Sequence, residues 1–227
     1  MPLIIDIETT SWFKDENHKQ LVCEERQDSR LKDPEKIAEN HKKIIAQAAL
    51  SPYTGQVTVV GLYDPRGKTE MFTNGYEDPI DKFTYKLSDE KALLEMVWRK
   101  IDEAVYAGER LVSFAGKDFD LPYLFVRSAI NGITTNAPYM DLIHPYNHDL
   151  HLDMKAIFDK GRLKEIAYAL DCQTDNEIDG SELPELWHTD PGKVVDKCKS
   201  DLIQTAKIYE RVKLWIPQRL QIFPKTE

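Results

Sequence analysis

The chain opens on an apolar run. Residues 3 to 9 read Leu-Ile-Ile-Asp-Ile-Glu-Thr, β-branched and without helical spacing, which predicts a central strand. From Ser11 to about His41 the pattern is almost wholly charged and polar, with blocks such as Lys14-Asp15-Glu16 and Lys32-Asp33-Pro34-Glu35-Lys36. Asp33-Pro34 predicts the start of a helix continuing to about Leu50. The segment from about 11 to 50 therefore reads as a solvated polar arm inserted after the first strand. Gln56 to Tyr63 and Thr69 to Thr73 flank Asp64-Pro65-Arg66-Gly67, a hairpin signal. After Ser88, read as an N-cap, Leu93, Leu94, Val97, Trp98, Ile101 and Val105 recur at helical spacing until Gly108. Leu111 to Ala115 predicts a strand, and Leu121 to Ile130 a helix with Pro122 in its first turn. Tyr139 to His151 reads as a loop, followed by short helices at Met154 to Phe158 and Leu163 to Leu170. The last and strongest helix opens at Asp190-Pro191 and runs to about Leu214, with Val194, Cys198, Leu202, Thr205, Tyr209 and Val212 on its buried stripe. Strands first and alternating helices afterwards predict an α/β fold, a mixed β-sheet flanked by helices.

Composition narrows the possibilities. At 227 residues, 41% hydrophobic and 30% charged, the chain suits one domain spanning 1 to 227, able to bury about 70% of its unfolded surface without metal or disulfide staples. Any metal is then expected to serve chemistry. A balance of 30 basic against 39 acidic residues, net charge -9, argues against a coat-like nucleic-acid or membrane binder held by general charge. It leaves room for a nuclease, because bound divalent cations reverse the local field where a phosphate docks. Three cysteines, odd in number and without a CxxC pair, predict a reducing, cytoplasmic compartment, and no apolar run is long enough to span a membrane.

Four carboxylates then change the picture. Asp6 and Glu8 interrupt an apolar strand two residues apart, so both leave the same face with Cα atoms roughly 6 to 7 Å apart. Two like charges on a half-buried face cost stability unless a cation lies between them, and oxygen ligands favour Mg²⁺ or Mn²⁺. Hydrated acids at a strand end are the plain alternative. Asp201 lies at the edge of the apolar stripe of the last helix, where an acid must be protonated, paired or metal-bound. Lys197, one turn earlier on the same side, offers an internal ion pair. Asp120 follows a strand and precedes a helix, where it or Asp118 would serve as an N-cap.

Asp6-Ile7-Glu8-Thr9, then Phe114-Ala115-Gly116-Lys117-Asp118-Phe119-Asp120-Leu121-Pro122, then Cys198-Lys199-Ser200-Asp201-Leu202 stand in an order that resembles the DEDD superfamily of 3′–5′ exonucleases, with a ribonuclease-H-like fold. The likeness is nearest to exonuclease domains related to the proofreading domains of family-B DNA polymerases. It extends through Ser51-Pro52-Tyr53-Thr54-Gly55, His151-Leu152-Asp153 and Leu163-Lys164-Glu165-Ile166-Ala167, and is weakest over the polar arm. The resemblance implies that Asp6, Glu8, Asp120 and Asp201 bind metal, two Mg²⁺ or Mn²⁺ ions per site. It also implies phosphodiester hydrolysis at the 3′ end of single-stranded or frayed DNA, with RNA as the other substrate and a separate DNA polymerase as a partner. Thr9 and Thr10 stand where relatives contact the terminal nucleotide, and Phe119 or Trp12 would stack a base.

Two departures stand out. The family's tyrosine four residues before the last Asp is Lys197, and the usual Asn of the second motif is Ala115. The histidine that a sister subgroup carries five residues before that Asp is Asp196. A water-orienting Tyr or His is worth about 10² to 10⁴ in rate. The departures therefore imply a slowed exonuclease, an enzyme recruiting another base, or a noncatalytic nucleic-acid-binding or polymerase-accessory module. A related endonuclease of the same fold is a further enzyme reading. His144, His148 and His151, with Asp149 and Asp153, also suggest a zinc site, although Pro145 breaks the spacing that would align them.

Overall fold

The computed structural model describes residues 2–66, 68–159 and 161–216; Gly67, expected in the hairpin turn, lies outside them. β1 (Leu3–Ser11) runs through the middle of a six-stranded sheet in the order β4-β3-β2-β1-β5-β6. β2 (Gly55–Asp64) pairs antiparallel with β1 and with β3 (Lys68–Asn74), the hairpin that the Asp64-Pro65-Arg66-Gly67 signal predicts. β5 (Leu111–Ser113) runs parallel to β1, and β6 (His151–Asp153) parallel to β5. β4 (Thr84–Leu87), beside β3, is absent from the sequence reading because Thr-Tyr-Lys-Leu is too short to show alternation. The sheet is mixed and helices cover both faces, as expected of an α/β fold of this type.

The period of two in β1 divides the core. Ile5 and Ile7 join Val60, Leu62, Phe72 and Leu111 beneath α3 (Glu90–Tyr106) and α4 (Asp120–Ile130). Ile4 joins Val59, Met71 and Val112 on the opposite face beneath α9 (Pro191–Val212), whose Val194, Val195, Cys198 and Leu202 are fully buried. Each such side chain contributes about 1.5–3 kcal/mol of burial. α9 approaches closely at Gly61, the residue opposite Asp6 on β2. A Cβ there would lie 2.4 Å from the Leu202 side chain and 3.0 Å from Cys198 Sγ. Glycine at that register position lets the helix settle over the strand that carries the acids.

The arm is helical. α1 (Glu16–Arg26) and α2 (Pro34–Ala46) enclose a small cluster of Val22, Cys23 and Ile44, with Asp33 capping α2 through the Glu35 amide. The arm is not solvated throughout: Ala48 and Ala49 at its far end are buried, and the Ala49 carbonyl accepts from Thr9 Oγ1 and the Tyr123 hydroxyl at 2.8 and 3.0 Å. Further local differences concern caps. Asp89, one residue after Ser88, caps α3 by accepting from the Ala92 amide. Asp190 precedes α9 without capping it, its carboxylate lying 3.3 Å from Lys193 instead. The segment read as a loop contains α5 (Tyr139–Ile143) and leads into β6, and it is followed by α6 (Met154–Phe158) and α7 (Leu163–Ala169). α8 (Leu183–Thr189) precedes α9. Among the described residues no helix is long and apolar enough to cross a membrane.

Candidate active site

Asp6 and Glu8 leave β1 on the face covered by α9. Thr58 on β2 is the extra residue of a bulge opposite Glu8 and Thr9, and its hydroxyl bonds the Glu8 carbonyl at 3.0 Å. Carboxylate oxygens of Asp6 and Glu8 and the Cys198 sulfur all lie within 4.8 Å of one another. Asp120 arrives from the first turn of α4 and accepts the Ile7 amide at 3.1 Å, a bond to the residue between the two strand acids. Neither Asp120 nor Asp118 caps α4: the N-cap position is Phe119, without a side-chain bond, and Asp118 is exposed and 3.5 Å from Lys155. Asp201 reaches in from α9, where its Oδ2 pairs with Lys197 Nζ one turn earlier. Its Oδ1 lies 3.5 Å from Gln204 Nε2.

These charges act on one another. Burial, then the neighbouring Glu8, Asp201 and Asp120, lifts Asp6 well above the carboxylate range. Burial pushes Glu8 up to about 8, opposed by Lys197 and reinforced by Asp201 and Asp120. Burial lifts Asp120 to about 7 despite the Ile7 hydrogen bond. Lys197, 93% shielded by the fold, has its ammonium favoured by Asp201, Glu8 and Asp6 against the opposing effect of burial. Asp6, Glu8 and Asp120 thus resist ionisation where they sit, as buried carboxylates close to one another do.

A divalent cation would supply the balancing positive charge. Asp6 Oδ2 is sealed from solvent and has no hydrogen-bond partner among the described residues, a costly arrangement for an isolated carboxylate. The donors around it are mainly carboxylate oxygens, the hard ligands taken by Mg²⁺ or Mn²⁺, so the residues present fit such an ion. Cys198 is the neighbour of the strand acids that sequence reasoning missed, its thiol kept protonated by burial and facing the Asp6 carbonyl at 3.7 Å. It was visible only as an apolar-stripe residue, and its proximity to Asp6 and Glu8 follows from the close approach of α9 at Gly61.

The loop preceding Asp120 is built by a second network. Asp153, at the end of β6, accepts the Ala115 and Lys117 amides at 2.8 and 3.0 Å and caps α6 through the Lys155 amide. Ser113 Oγ lies 2.7 Å from His151 Nε2 and accepts the Gly116 amide at 3.1 Å, while His151 Nδ1 faces the Leu142 carbonyl. Burial pushes His151 down to about 4, so it is a neutral hydrogen-bonding post. His151 and Asp153 are thus committed to the loop, and among the described residues the histidines form no metal-ligating cluster. Ala115 sits at φ 64°, in the left-handed region that suits Asn or Gly.

Other expected contact residues are engaged in structure. Thr10 is fully buried and donates to the Pro184 carbonyl at 3.1 Å, while Thr9 holds Ala49. Phe119 packs at 5.3 Å on the Tyr123 ring. The Arg127 guanidinium lies 4.6 Å over the Trp12 ring. Arg127 also pairs with buried Glu90, Nε to Oε1 at 2.9 Å, and Glu90 accepts the Val57 amide at 2.8 Å.

No curated protein sequence matches the chain. The structure is similar to that of the family B DNA polymerase from the hyperthermophilic archaeon Pyrobaculum calidifontis, with a TM-score of 0.60 at 16% identity over 93% of this chain. The chain spans 24% of that polymerase's length, and at this identity the likeness is one of fold, ribonuclease-H-like. A family model described as a predicted 3′–5′ exonuclease related to the exonuclease domain of PolB matches residues 41–219. Asp120, Lys197 and Asp201 lie within that match, whereas Asp6 and Glu8 lie before it. On that match over most of its length, the chain belongs to the family of predicted 3′–5′ exonucleases related to the exonuclease domain of PolB.

Proposed function

We propose that the protein is a metal-dependent 3′–5′ exonuclease that shortens single-stranded or frayed DNA through a site made by Asp6, Glu8, Asp120 and Asp201. The observation that carries the reading is the unpartnered Asp6 Oδ2 inside a cluster of mutually repelling carboxylates. Four carboxylates offer enough oxygens for the two divalent ions of this reaction class. When bound, the cations lower the pKa of water and neutralise charge on the scissile phosphate. The chain's own residues do the rest. Glu8 and Asp6 are fixed by the sheet, and Asp120 by the Ile7 amide. Asp153 and Ser113 hold the loop that leads to Asp120. A protonated Lys197 donates but does not accept, so it orients anions rather than removing a proton from water. The absence of the family's tyrosine or histidine supports slow turnover, and a separate polymerase that supplies mispaired 3′ ends is the partner this chemistry suits.

The test incubates 5′-labelled single-stranded DNA, mismatched duplex and matching RNA with Mg²⁺, Mn²⁺ or chelator. The expected result is a ladder shortening from the 3′ end of DNA with metal and none with chelator. Intact strands under every metal condition, together with retention of the DNA on the protein, would instead make it a noncatalytic binding module.

A further inference from the structure

Lys197 brings a positive charge into a set of acids, facing Asp201, Glu8 and Asp6. Its side chain is only 7% exposed, and its Nζ pairs with Asp201 Oδ2 along one turn of α9. Gln204 lies beside the other oxygen of the same carboxylate. Asp201 is therefore partnered by side chains of its own helix, in contrast to Asp6, whose Oδ2 has no hydrogen-bond partner among the described residues.

We infer that Lys197 is a built-in counter-ion of the acid cluster, holding Asp201 in place in the metal-free protein and competing with the divalent cation for that carboxylate. The inference rests on the metal-binding reading above. Breaking a buried pair by removing one partner leaves an uncompensated charge, so the lysine favours the folded, metal-free chain. The same ammonium repels a divalent ion at close range in a medium less polar than water, so it weakens metal binding. Lys197 is in this sense a positioning residue. It sets the concentration of metal at which the site fills.

Two measurements without substrate test this: Mn²⁺ affinity by calorimetric titration, and thermal midpoint in chelator and in saturating Mn²⁺. Lys197→Met should bind Mn²⁺ about tenfold more tightly than the unsubstituted protein, the loss of one close repulsion. It should melt lower in chelator, with the deficit closing in Mn²⁺. Lys197→Gln repeats the measurement with a polar side chain should the methionine variant fold poorly, and Lys197→Arg, which keeps the charge, should restore the original behaviour. Unchanged or weaker Mn²⁺ affinity in both neutral variants, with the unsubstituted protein binding normally, overturns the lysine's role alone. Failure of the unsubstituted protein to bind Mn²⁺ overturns the metal site itself, and the inference with it.

Discussion

At the scale of single residues, the site is governed by the cost of placing several carboxylates together. Glu8, ordinarily titrating at 4.5, is raised to about 8, and Asp120, ordinarily at 3.8, to about 7. Folding therefore favours their protonated forms, and this stabilisation is complete below the ordinary values and lost as pH climbs through the raised ones. In chelator, thermal stability should fall between about pH 4 and pH 8, whereas saturating Mg²⁺ should flatten or reverse that slope by keeping the acids ionised. A calorimetric pH series with and without metal measures both; a flat profile in chelator would contradict the raised titration of Glu8 and Asp120. Ala115 gives a second prediction at this scale. Its left-handed backbone costs a residue with a Cβ about 1–2 kcal/mol, a strain that Asn tolerates better. Ala115→Asn should raise the melting midpoint by about 2 °C, the expected size for a gain below 1 kcal/mol in a chain this long.

At the scale of elements, the site exists because α9 can lie close to β1 and β2. Gly61→Val would set new methyl groups against Leu202, Cys198 and Met71, all within about 3 Å of the added Cβ. Overpacking of this kind costs about 1–3 kcal/mol, and lifting α9 should separate Asp201 from Asp6, so denaturation and hydrolysis should both suffer. Glu90 and Arg127 form the corresponding clamp on the other face, joining α3, α4, β2 and the Pro52 carbonyl. Arg127→Met should destabilise by about 3–5 kcal/mol in urea unfolding, because buried Glu90 would lose its positively charged partner and keep only the Val57 amide and Asn131.

Much of this was legible in the chain and some was not. The interrupted run Leu3 to Thr9 disclosed both β1 and its acids, since an acid inside an apolar strand needs an explanation. The stripe on α9 likewise revealed Asp201 and Lys197, because helical spacing fixes which residues share a face. Three-residue β6 left no periodicity to read, so the pattern sets His151 at the end of a loop and Asp153 in no element. Cys198 was hidden for another reason: its closeness to Asp6 and Glu8 depends on the separation of two elements, which Gly61 permits and no local pattern encodes.

At the scale of the whole molecule, acids nearly two hundred residues apart along the chain lie close enough to act on one another electrostatically, and on the proposed function an acidic protein would gain a place for phosphate through cations. Binding should therefore depend on metal more than on general charge. The most direct measurement is anomalous X-ray diffraction from crystals soaked in Mn²⁺. The account predicts manganese density against Asp6 and Glu8, with Asp120 or Asp201 completing the oxygen set, and its loss in Asp6→Asn. Manganese bound elsewhere, or no density at these carboxylates at saturating concentration, would contradict it.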